Sequence, residues 1–157
     1  MQKRLLAISG LVLAIGGFAA GVGSASPAPV SAVKADLAKF QADVIAKHNI
    51  VIPDAQRLAA DAVAAKGSTR VAARAVIKPD IAKLKAALSA SRAAIKADRT
   101  QLKADLTAAK QAKGARKELR PLLHSTRATI RQSNAEVRAE LHSAHQAVRD
   151  LRASFKK

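Results

Sequence analysis

The chain has 157 residues, with 28 Lys and Arg against 11 Asp and Glu and a formal net charge of +17 at pH 7. It contains no cysteine, which excludes a disulfide framework, a cysteine-based metal centre and lipid attachment at a cysteine. It also contains no tryptophan or tyrosine.

The N-terminus reads as an export signal. Lys3 and Arg4 precede an apolar run from Leu5 to about Ala20, followed by small residues and prolines. The run falls short of the roughly 20 apolar residues that a membrane span needs, and its glycines weaken it further. The expected signal peptide is 1–25, with cleavage after Ala25 and Gly23 at the second small position. Removing it leaves 132 residues and, with Lys3 and Arg4 gone, a charge of +15. These residues hold 29 Val, Ile, Leu and Phe against 33 alanines. Large apolar side chains are thus scarce, but alanine has the highest helix propensity. The composition points to an elongated, thinly cored helical protein without room for a large substrate cavity.

Residues 26–31 read as a linker, and 32–157 as a single elongated helical domain. A first helix is expected over 32–47, capped by Ser31, with Leu37, Phe40 and Val44 at helical spacing. Ile50-Val51-Ile52-Pro53 reads as extended, because a residue before proline is pushed out of the helical region. Asp54 is then expected to cap a second helix that ends near Lys66 at Gly67. Ser68 opens a short third segment through Ile77, broken at Lys78-Pro79.

Two long helices follow, at about 80–113 and 121–155. The first repeats a phrase, IKADRTQ then LKADLTA over 95–108, and VKADL also stands at Val33 to Leu37. The second carries a heptad through Leu123, Ile130, Val137, Ala144 and Leu151. A turn near Gly114 is expected to fold them into an antiparallel coiled-coil-like hairpin, with two or three shorter N-terminal helices alongside. In a register where paired numbers sum to 232, Asp98 meets Asn134 and Asp105 meets Arg127. Asp98, Asp105 and Asn134 are therefore expected to set register. A homo-oligomer formed through the same seam is the alternative.

No catalytic signature appears. The chain has no Gly-x-Ser-x-Gly turn and no Gly-rich phosphate loop, and its acids are spread along helices beside Lys or Arg. The expectation is a non-enzymatic protein without cofactors. His142 and His145 share a helix face but lack a third ligand, so no metal site is expected.

The functional hint is a basic stripe. His124, Arg131, Arg138, His145 and Arg152 recur every seven residues on the last helix, and Arg127 adds to it. Guanidinium forks suit phosphate and carboxylate, and the histidines would add charge in acid. The competing reading lays these side chains over the seam, paired with acids on a neighbour. Residues 111–157 carry 11 cations and 4 anions, too few acids for full pairing. Only Phe40 and Phe155 could stack on bases outside the signal, which argues against a dedicated nucleic-acid partner.

The expected protein is bacterial and exported, periplasmic or extracellular and associated with the cell envelope. Its expected partner is an anionic envelope polymer or membrane surface. A periplasmic helical chaperone or stress protein is the alternative, with a structural spacer as a third reading. Leu106-Thr107-Ala108-Ala109-Lys110 begins like the Leu-Thr-x-x-Gln signature of such chaperones and departs at the glutamine.

Overall fold

The computed structural model describes residues 28–156. The expected signal peptide and the first two linker residues lie outside them. The described residues form three α-helices and no strand: α1 (Ala28–Ala64), α2 (Arg70–Ala109) and α3 (Ala115–Ser154). At 1.5 Å per residue, the 40-residue helices are each about 60 Å long.

The expected shorter N-terminal helices are not separate elements. Residues 28–64 are one helix that passes through Pro53, and the expected third segment is the start of α2, which passes through Pro79. α3 begins at Ala115, six residues before Pro121. Each proline removes an N–H and crowds a carbonyl one turn back. All three are exposed, so the freed carbonyls face solvent. Val51 and Ala55 on either side of Pro53 are fully buried, which holds the helix through the defect. Packing overrides the local preference, and Asp54 becomes a mid-helix residue bound by Lys83 Nζ at 2.7 Å. Residues 28–31, expected as linker, form the first turn of α1, with Val30 fully buried.

The two expected turns are present. Gly67 and Gly114 have φ of +90° and +82°, the left-handed region that glycine enters without steric cost. Thr69, rather than Ser68, caps α2, its side chain accepting from the Ala72 N–H at 3.3 Å.

Ion pairs and hydrogen bonds fix the helix directions. Lys39 reaches Asp98, and Lys83 reaches Asp54, so α1 and α2 run antiparallel. Lys34 pairs with Glu118, and Lys47 Nζ donates to Asn134 Oδ1 at 3.1 Å, so α1 and α3 run parallel. α1 packs along both partners, whereas α2 and α3 scarcely approach each other. The central element is therefore α1. Its buried positions, Val30, Val33, Leu37, Phe40, Val44, Val51, Ala55, Leu58 and Ala62, keep the three-four spacing of a helical seam except for one seven-residue step from Val44 to Val51.

The expected cross-hairpin pairs do not form. Asp98 is held by Lys39, and Asn134 accepts from Lys47, eight residues further along α1. Those levels differ by about 12 Å. Asp105 accepts from Gln101 Nε2 on its own helix at 3.0 Å and faces Asp36 of α1. The seams of α2 and α3 turn toward a third helix rather than toward each other.

Candidate anion-binding face

The buried seam of α1 has one gap. Lys47 lies three residues after Val44 and four before Val51, where an apolar side chain would continue the stripe. It is partly buried, and its Nζ donates to the neutral amide of Asn134. Burial pushes its pKa down, and the nearby charges of Arg92 and Arg138 push it the same way. Three cations from three different helices thus converge without a carboxylate among the influences on Lys47.

A cleft of about 240 Å³ opens beside Lys47, between the helices. Phe40, Val44, Ile95 and Ile130 give it an apolar base, and Lys47, Arg92, Lys96 and Arg99 give it charge. Arg99 lies over the Phe40 ring, 5.9 Å from its centroid. That is the range of a cation–π contact and holds the guanidinium near the cleft.

All six stripe residues, His124, Arg127, Arg131, Arg138, His145 and Arg152, are exposed. None makes an ion pair among the described residues. Arg138 is brought near enough to Lys47 for its charge to act there, as that of Arg92 does. Arg152 is brought to Arg70, Arg74 and Lys78 of α2, around a second cleft at the end of the bundle. His124, Arg127, Arg131 and His145 line neither cleft.

Three of the four acids on α3 are engaged elsewhere. Glu118 pairs with Lys34, and Asp150 accepts from Gln146 Nε2 at 2.8 Å. Glu136 lies 2.6 Å from His48 Nε2 and accepts from Gln132, and these hydrogen bonds pull its pKa down. The remaining buried carboxylates face α1. Asp80 lies 3.5 Å from Arg57, and burial, followed by its contact with Asp61, raises its pKa.

Sequence reasoning missed Lys47 and the α2 cations. The signal for Lys47 was its place in the three-four spacing. For Arg70, Arg74 and Lys78 it was their recurrence every four residues, which puts them on one helix face.

His142 and His145 are both exposed, and no group of three or more metal-ligating side chains occurs among the described residues. No described helix is long and apolar enough to cross a membrane. The chain matches no family model, no curated protein and no solved structure.

Proposed function

We propose that this is a non-enzymatic, exported envelope protein that holds anionic polymers or surfaces on the cationic side of a helical rod. In this reading 1–25 directs export, and the outward sides of α2 and α3 carry the binding face. The observation that supports it most is the company of the stripe. Arg152 stands with four further cations around a cleft that no acid lines, and the charges of Arg92 and Arg138 both act on the partly buried Lys47. Unpaired cations gathered on one side repel one another, and a polyanion relieves that repulsion while releasing its own counterions. Arg forks then make bidentate contacts with phosphate or carboxylate, with little stereochemical selectivity.

The test is polyphosphate binding across a salt series, beside a variant carrying Arg131→Gln, Arg138→Gln and Arg152→Gln. Affinity should fall steeply with salt, and the slope should drop by about one for each phosphate contact removed. Equal slopes for both proteins would reduce the stripe to a solvated helix face. Salt-insensitive capture of unfolded chains would favour the chaperone reading instead.

A further inference from the structure

Where α2 begins and α3 ends, the two helices leave a cleft of about 580 Å³. No α1 residue lines it. Its floor is apolar: Ala73, Ile77 and Ile81 from α2, with Val148, Leu151 and Phe155 from α3. Its rim is cationic: Arg70, Arg74 and Lys78, one helical turn apart in succession, face Arg152 and Lys156. All five cations are exposed, and none makes an ion pair among the described residues. No acid lines the cleft.

We propose that this cleft binds a single-chain amphiphile with an anionic head, its tail along the apolar floor and its head among the rim cations. The inference rests on the anion-binding reading above and adds the chemistry of the ligand. The volume lies within the roughly 300–1,000 Å³ of small-molecule sites. From Ala73 to Ile81 the floor runs about 12 Å, a length that takes most of one extended hydrocarbon chain. A hydrophilic polyanion would use the rim and leave the floor in water. A second copy of the chain would set five cations against five. The apolar run Leu5 to Ala20 follows Lys3 and Arg4 and contains no acid, so it offers nothing to the rim. An acyl chain with an anionic head satisfies floor and rim together.

The chain has no tryptophan or tyrosine, so Phe155→Trp would make a single fluorescent reporter at the cleft. The probes are dodecyl phosphate below its micelle-forming concentration, dodecylphosphocholine with the same tail and a zwitterionic head, and polyphosphate with no tail. The expected result is a saturable blue shift with dodecyl phosphate, at an affinity about tenfold or more above that for dodecylphosphocholine. Arg74→Gln with Lys78→Gln, both outside the α3 stripe, should weaken dodecyl phosphate about tenfold. Ile81→Gln should weaken it while leaving polyphosphate binding unchanged. Equal affinity for both dodecyl probes would overturn the proposal. So would binding of polyphosphate with none of dodecyl phosphate. Those outcomes leave the anion-binding reading standing, whereas failure of polyphosphate as well would remove both.

Discussion

Lys39 of α1 spans to Asp98 of α2 and holds a carboxylate that is only 7% exposed. Asp98 sits in the repeated phrase of α2, and its partner comes from the central helix. A buried acid with one cationic partner penalises any slip of α2 along α1, because a slip leaves the acid unpaired. Lys39→Met should therefore destabilise the protein more than Asp98→Leu, which removes the buried charge itself. Asp98→Leu should preserve the melting temperature while doubling some amide resonances in NMR spectra as alternative registers become populated. A lower melting temperature for Asp98→Leu than for Lys39→Met would remove the register-setting role.

Lys47 should show a conflict between stability and binding. Its charge is partly buried near two arginines, so Lys47→Met should raise the melting temperature of the free protein. The expected gain is about 1 kcal/mol, the scale of one improved core position. Polyphosphate should raise the melting temperature of the unmodified protein by linkage and raise that of Lys47→Met less. Scanning calorimetry with and without polyphosphate measures both effects, and a larger ligand-induced shift in the variant would count against Lys47 as a binding residue.

Two carboxylates predict opposite pH responses. Burial, followed by contact with Asp105, raises the pKa of Asp36, so the folded chain holds that proton to higher pH than the unfolded chain. Its contribution is full below the ordinary aspartate value and is lost as pH rises through the raised one. Glu136 is pulled down by hydrogen bonds, so its contribution is present above the ordinary glutamate value and is lost as pH falls through the lowered one. Asp36→Asn should stabilise at pH 7 by about 0.5 kcal/mol, the size of a relieved like-charge pair, and by less near pH 3. Glu136→Gln should destabilise at pH 7 and have little effect at pH 2. Urea titrations at the paired pH values test both signs.

Gly114 should resist substitution on backbone grounds alone. A Cβ built there meets nothing within 4 Å, yet φ is +82°. Gly114→Ala should cost about 1–2 kcal/mol through the left-handed conformation. Gly114→Asn should cost less, since asparagine tolerates that region better. Equal stability for the three proteins would mean that the turn adopts another conformation in solution.

The helical class was legible because alanine-rich, three-four spacing has few other readings, and both turns were legible because glycine marked them. The prolines misled. Pro53 and Pro79 look like breaks locally, but each lies on a solvent face between buried positions such as Val51 and Ala55 or Ile77 and Leu84. The register was beyond reach for a related reason. Two heptad stripes of similar length match each other well on paper, and nothing local reveals that each is claimed by a third helix. Arg138 and Arg152 could be picked out as exposed cations. Their neighbours Lys47, Arg92 and Arg74 belong to other helices and become neighbours only through the packing of α1.

The central position of α1 also bears on how the chain comes into being. The helix covered on two sides is synthesised first, and its partners arrive later in sequence. Lys34 waits for Glu118 across 84 residues. Until α3 is available, Val30, Val33 and Phe40 lack part of the surface that buries them. A nascent chain therefore exposes its most apolar helix for longest, and contacts of such separation form slowly. Loss of the last 40 residues would strip one side of the middle of the bundle rather than shorten an end.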